Sequence, residues 1–300
     1  MITVLGSINL DQIGKVQRLP GPGETVLGTS FATAPGGKGA NQALAARRAG
    51  ANVHLAGAVG DDVFAAQALE LLTSAGVNLE NVHHRPGATG IAMILVDQRG
   101  ENAIAVLPGA NASLGPNEVA RACERLGRGD MVLLQQEIPQ VATRDALALS
   151  RQRGATSILN TAPFLDSTPE VADLADVVIA NQTEFALLRG GDTSDLEAAI
   201  AERARLKAQT VIVTLGADGV RAATPDRSFF VPALRIEPVD TVGAGDTFCG
   251  YFAASLGDGL DLERAIERAA AAASLACLSP GAQPAIPLAD AVTKAMADQG

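Results

Sequence analysis

Compact apolar runs, often β-branched, recur along the chain between stretches whose apolar residues return every three or four positions. The runs Met1–Gly6, Val53–Ala58, Met131–Gln135, Thr156–Leu159, Val177–Ala180 and Thr210–Thr214 predict strands covered on both faces, because each is a compact apolar run. Helical spacing predicts helices over Gly39–Ala49, Val63–Ala75, Pro116–Leu126, Val141–Arg153, Leu196–Leu206, Gly243–Leu256 and Leu262–Leu278. The alternation of the two patterns predicts an α/β fold with a doubly wound, mostly parallel sheet. No internal repeat or low-complexity linker interrupts residues 1–300, so one α/β domain is expected.

Two segments break the alternation. Gln12–Ala34 is rich in Gly, Pro and Thr, and Val82–Val106 alternates as strands around the turn Asp97-Gln98-Arg99-Gly100. Because Ile91–Val96 and Ala103–Leu107 flank a plausible hairpin turn, a small second sheet is expected from about residues 12–34 and 82–107. Such a sheet beside the strand ends can act as a lid. The plainer alternative is two surface excursions.

Composition narrows the picture. Hydrophobic residues make up 47% and aromatics 3%, with no Trp, so the core is to be built from Ala, Val, Leu and Ile. A formal net charge of −10 argues against non-specific nucleic-acid binding, yet leaves room for phosphate held by backbone N–H groups. Cys123, Cys249 and Cys277 are widely spaced with no CxxC pair, which fits a reducing compartment and no zinc site. With no signal peptide at the N-terminus and no membrane-spanning run, the expected location is cytoplasmic.

The segment Asp240-Thr241-Val242-Gly243-Ala244-Gly245-Asp246-Thr247-Phe248 is the most informative. Small residues lead into a helix whose first-turn N–H groups are unsatisfied donors, suited to charge on a phosphoryl group in flight. Asp246 lies in that turn, where its carboxylate can face an incoming hydroxyl; equally, it reads as an ordinary helix cap. Gly36-Gly37-Lys38-Gly39-Ala40-Asn41-Gln42 opens another helix, with Lys38 and Asn41 offering directional contacts to a polyol. Asn9 and Asp11 follow the first strand and Glu137 follows the third, positions where ligands bind in open α/β sheets. Asn181 and Glu184 follow the Val177–Ala180 strand and can hold Mg²⁺ through water, or simply form a capping box. Thr214, Gly216 and Gly219 follow another strand, where a nucleotide can lie. No P-loop, dinucleotide fingerprint, H-E-x-x-H or nucleophile elbow is present, and His54, His83 and His84 have no metal-like arrangement. Polar or Gly-rich segments thus follow nearly every predicted parallel strand, which gathers them on one rim of the sheet.

Taken in order, G-S-I-N-L-D, G-G-K-G-A-N-Q, N-Q-T-E, T-L-G-A-D-G and D-T-V-G-A-G-D resemble the ribokinase (PfkB) family of carbohydrate kinases, from the first strand to Gly281–Pro284. The first two motifs resemble the ribokinase branch more than fructokinases or nucleoside kinases. The resemblance implies a ribokinase-like fold with a β-sheet lid and ATP-dependent phosphorylation of a sugar hydroxyl, with ribose as the expected substrate. Another sugar or nucleoside kinase of the family is the near alternative and a non-catalytic sugar sensor the distant one. It implies Asp246 as catalytic base, and Gly243, Ala244 and Gly245 as anion hole. Asn9, Asp11, Gly37, Lys38, Asn41 and Glu137 fall to the sugar, while Asn181, Thr214, Gly216, Gly219 and Gly245 fall to the nucleotide. Asn181 and Glu184 organise Mg²⁺. Asp240, Val242, Ala276, Ser279, Gly281 and Ala285 match a monovalent-cation (K⁺) site, although Ala285 stands where a Ser is common. Ala270 stands where a polar residue often flanks adenine. Family members often dimerise through the lid sheets. A carboxylate at a helix start is a weakened base, so Asp246 is expected chiefly to orient the nucleophile.

Overall fold

The computed structural model describes residues 1–191 and 194–298. In chain order the first elements are β1 (Ile2–Leu5), β2 (Asn9–Val16), β3 (Gly28–Gly36), α1 (Lys38–Arg48), β4 (Val53–Gly60) and α2 (Phe64–Ala75). They are followed by β5 (Asn78–Arg85), β6 (Gly90–Val96), β7 (Asn102–Leu107), α3 (Pro116–Ala122), β8 (Met131–Leu134), α4 (Gln140–Arg153) and β9 (Thr156–Asn160). Next come α5 (Thr168–Ala172), β10 (Val177–Asn181), α6 (Gln182–Arg189), α7 (Leu196–Lys207) and β11 (Thr210–Thr214). The last are β12 (Val220–Ala223), β13 (Ser228–Val231), α8 (Ala244–Gly257), α9 (Leu262–Ala276) and α10 (Ala289–Ala297).

Nine strands form one sheet in the order β13-β12-β11-β10-β9-β8-β1-β4-β5. The pairings from β5 through β11 are parallel and the two at the far edge, β11–β12 and β12–β13, are antiparallel. The six apolar runs form its centre because both faces of each must be covered. Val4 sits in register with Leu55 and Leu133 and belongs to the core shared with α1, α2, α8 and α9; Leu5 points the other way, into the core shared with α3, α4 and α6. The fold is thus a doubly wound α/β sandwich.

The small sheet has the order β3-β2-β6-β7, with β2–β6 parallel and the outer pairs antiparallel. Its extent differs from the expected 12–34 and 82–107. It begins at Asn9, whereas Val82–Arg85 lies in β5 at the edge of the large sheet, paired with β4. Half-buried edge strands and lid strands carry the same alternating pattern, so periodicity cannot assign Val82–Arg85 to either sheet. Helix α3 ends at Ala122 instead of the expected Leu126, and shorter turn bonds such as Leu126 N–H to Cys123 O replace its last turn.

Small residues decide how α1 and α8 meet. A Cβ at Gly250 would lie 2.5 Å from the Ala45 Cβ and 2.7 Å from the Ala46 nitrogen, so the two helices run nearly in backbone contact. That approach sets the N-terminal turns of both helices side by side.

Candidate active site

Asp246 stands where those two turns converge. It is 7% exposed, and its Oδ2 accepts 2.9 Å from Asn41 Nδ2 while its Oδ1 accepts 2.9 Å from Gln42 Nε2. The N-cap of α8 is Gly243, at φ +77°, so the carboxylate is committed to α1 and is not the cap of its own helix. A side chain at Gly243 is barred twice: the backbone is left-handed, and a Cβ would lie 2.8 Å from Ala282 Cα. Ala244 N–H donates to Thr241 O at 3.3 Å, and Gly245 is open, with nothing within 4 Å of a Cβ built there.

On the side of the small sheet, the half-buried Glu137 accepts from Ser7 Oγ at 2.6 Å and from the Lys38 backbone N–H at 3.1 Å. Asn9 is buried, and its Oδ1 accepts 2.8 Å from Asn111 Nδ2. Gly37, at φ +88°, lets the chain pass so near Asn9 that a Cβ would lie 2.7 Å from its nitrogen. Burial, then the charges of Glu137 and Asp246, push the Asp11 carboxyl up to about 7, partly opposed by Lys38. For Lys38 the balance reverses: burial disfavours the ammonium, but Asp246, Glu137 and Glu184 together carry its pKa above the ordinary value. Asn41 Oδ1 is buried with no protein partner, an acceptor available to a ligand.

On the other side, a cavity of about 160 Å³ is lined by Lys38, Asn160, Asn181, Glu184, Thr214 and Asp246, among others, with Gly243 and Gly245. It adjoins a larger, mostly apolar cleft of about 390 Å³, lined by Thr214, Gly216, Gly219, Ala244, Gly245 and Ala270, and by Ala233, Leu234, Arg235, Ile236 and Pro238 of the loop Ala233–Pro238. Asn181 and Glu184 form a reciprocal capping box on α6, with Glu184 N–H to Asn181 Oδ1 at 2.8 Å; Glu184 Oε2 also accepts from Thr161 Oγ1 at 2.7 Å. Asp240 accepts from the N–H groups of Val242 (3.0 Å) and Gly281 (2.8 Å). Ala276 ends α9 beside Cys277, whose carbonyl accepts from Asp240 N–H. Ser279 and Ala285 share the α9–α10 connection with Gly281, and among the described residues no hydrogen bond ties either to Asp240.

The structure therefore gathers the strand-end residues on one rim around Asp246 and holds the Asp240 loop beside the start of α8. Sequence reasoning did not single out Gln42, Gln135, Asn160, Ser7 or Asn111, nor the loop Ala233–Pro238. Gln42 closes the same motif as Lys38 and Asn41, and Gln135 and Asn160 each end a buried strand with an amide. Those positions were the available signals. Nothing in the loop's composition marked it.

A buried carboxylate at a helix start, between a polar cradle and an apolar cleft, is an arrangement that suits phosphoryl transfer to an alcohol group. The chain belongs to the pfkB family of carbohydrate kinases, whose pattern matches residues 1–289. It is 39% identical to the ribokinase of Bacillus subtilis (strain 168), over 95% of this chain and 96% of that one. It is 35% identical to the deoxyribokinase of Salmonella typhi, over 95% of each chain. A structure of Arabidopsis thaliana ribokinase complexed with ribose and ATP superposes with a TM-score of 0.88 at 30% identity, covering 98% of each chain.

Proposed function

We propose that the protein is a ribokinase, transferring the γ-phosphoryl group of ATP to the 5-hydroxyl of D-ribose. The observation that carries this reading is that Gly245 lines both the polar cavity bounded by Asp246 and the apolar cleft next to it. The adenine end fits the cleft and the phosphates the start of α8. The sugar fits among Asn9, Asp11, Gly37, Lys38, Asn41 and Glu137. The ribose oxygen forms a bond to Pγ as the bond from Pγ to the ADP oxygen breaks, and the hydroxyl proton passes to Asp246. First-turn N–H groups of α8, around Gly243, Ala244 and Gly245, stabilise the phosphoryl charge. The relatives named ribokinase and the neighbour holding ribose and ATP support ribose as substrate. Deoxyribose is the second reading, favoured by the deoxyribokinase match.

The donor set of Asn181 and Glu184, a hard amide oxygen and a carboxylate at the cavity lip, fits Mg²⁺ held through its own water. Bound there, Mg²⁺ supplies charge neutralisation on the phosphates. The Asp240 carboxylate, fixed by the N–H groups of Val242 and Gly281, is the charge that would hold K⁺, with Ala276, Ser279 and Ala285 as the further matching positions, and Ala285 offers it no side-chain hydroxyl. We read the small sheet as a lid on one catalytic domain. Its Asp11 face supports a homodimer: Ile94, Ile104 and Val106 share that face by register, and Ile104 and Val106 are exposed. Three buried free thiols support a cytoplasmic location, and no helix among the described residues is long and apolar enough to cross a membrane.

Two assays test the reading. ADP release with ribose, deoxyribose, fructose and adenosine should be greatest with ribose; sugar binding without ADP from any of them would point to a sensor instead. Asp246→Asn should lower kcat by more than about 100-fold with ribose binding nearly intact. Near-normal turnover would sink the assignment of Asp246.

A further inference from the structure

We propose that Gln42 and Gln135 form a positioning relay that fixes how Asp246 presents its carboxylate. The proposal rests on the reading of Asp246 as the base. Gln42 is fully buried, and every polar group it owns is engaged. Nε2 donates to Asp246 Oδ1 at 2.9 Å and to Asn160 Oδ1 at 3.3 Å, while Oε1 accepts from Gln135 Nε2 at 2.6 Å. Nothing remains for a substrate, unlike Asn41, whose Oδ1 is unpartnered. Gln42 therefore reaches the reaction through Asp246 at 2.9 Å and, over a longer bond of 3.3 Å, through Asn160 in the cavity wall.

The direction of the relay follows from elementary hydrogen-bond chemistry. A carboxylate can only accept, so Gln42 must turn its amide nitrogen toward Asp246 and its carbonyl away. The carbonyl then needs a donor, and Gln135, 1% exposed at the end of β8, provides one. Gln135 leaves its own Oε1 buried without a partner, a cost accepted at this end of the relay. That oxygen fills the space a side chain at Gly6 would take, since a Cβ there would lie 2.0 Å from it. If Gln135 were reversed, two oxygens would face each other and Gln42 would be free to flip. It would then present an oxygen to Asp246.

Steady-state kinetics of the whole protein with ribose and MgATP tests the relay. Gln42→Leu should lower kcat about 10- to 100-fold, the loss of one hydrogen bond to a charged group, with the ribose KM within about threefold. Gln135→Leu should lower kcat in the same direction by less. The double variant should match Gln42→Leu alone, because Gln135 acts through Gln42. Wild-type kcat in Gln42→Leu, or effects that multiply in the double variant, would overturn the proposal. Gln135→Glu keeps the shape and guards against a Gln42 variant that fails to fold. Its carboxyl can donate to Gln42 only while protonated, so its kcat relative to wild type should fall as pH rises. A ratio independent of pH overturns the relay. If Asp246→Asn loses turnover while Gln42→Leu keeps it, only the relay fails. If Asp246→Asn retains turnover, the reading beneath it fails.

Discussion

Asp11 is held beside the carboxylates of Glu137 and Asp246. With its carboxyl pushed up to about 7, the folded protein keeps a proton that the unfolded chain gives up near 3.8. The sign follows: the native state binds more protons between these values, so this group makes stability fall as pH rises from about 4 to about 7. Asp11→Asn should flatten that part of the pH dependence, measured by denaturant melts at pH 4, 5.5 and 7. Sugar hydroxyls donating to the carboxylate favour its charged form, so ribose binding should release a proton near pH 7. Calorimetry in buffers of different ionisation enthalpy reads this directly, and Asp11→Asn should abolish the release. Asp11 stood out as a candidate sugar contact from its place after β1. Its charge state did not, because Glu137 and Asp246, the neighbours that shift it, are 126 and 235 positions away.

At the scale of the element, the start of α8 separates what the fold needs from what the chemistry needs. Gly243 has a left-handed backbone and Ala282 against it, so Gly243→Ala should cost about 1–3 kcal/mol of stability, seen as a lower melting temperature. Gly245 has ordinary φ and open space. Gly245→Ala should leave melting within a degree or so, yet lower turnover more than about tenfold by holding phosphate away from the helix start. Equal loss of stability in both variants would contradict this division. The D-T-V-G-A-G-D motif marked both glycines alike; only the approach of Ala282, from 39 positions downstream, distinguishes them. The antiparallel pair β12–β13 was not read from the pattern at all, and only the capping-box reading of Asn181 and Glu184 pointed to the start of helix α6. Helix α6 is short and follows β10 without a break, while β12 (Val-Arg-Ala-Ala) and β13 (Ser-Phe-Phe-Val) lack the compact apolar run that marks the equally short β1 and β8.

For the molecule as a whole, the small sheet leaves apolar side chains open on both faces: Phe31 and Met93 on one, Ile104 and Val106 on the other. An exposed sheet of this kind is the expected meeting surface for a second copy. Ile104→Glu should shift the protein from dimer to monomer in sedimentation velocity and raise the ribose KM, since the same face carries Asp11. A monomeric wild type would refute the dimer. The sequence by itself determined the doubly wound sheet, its six central strands and the rim on which the chemistry gathers, because an apolar run covered on both faces and a strand-end polar motif are local patterns. Only the tertiary structure decided that Val82–Arg85 joins the large sheet, and that Asp246 answers to Asn41 and Gln42 and not to its own helix. It also decided that Gln135 stands behind Gln42. The physical reason is the same in each case. Helix approach and the place of Gln135 depend on which distant backbones the small residues Gly250, Ala45 and Gly6 allow to touch, edge pairing depends on a partner strand outside the segment, and no local pattern carries that distance.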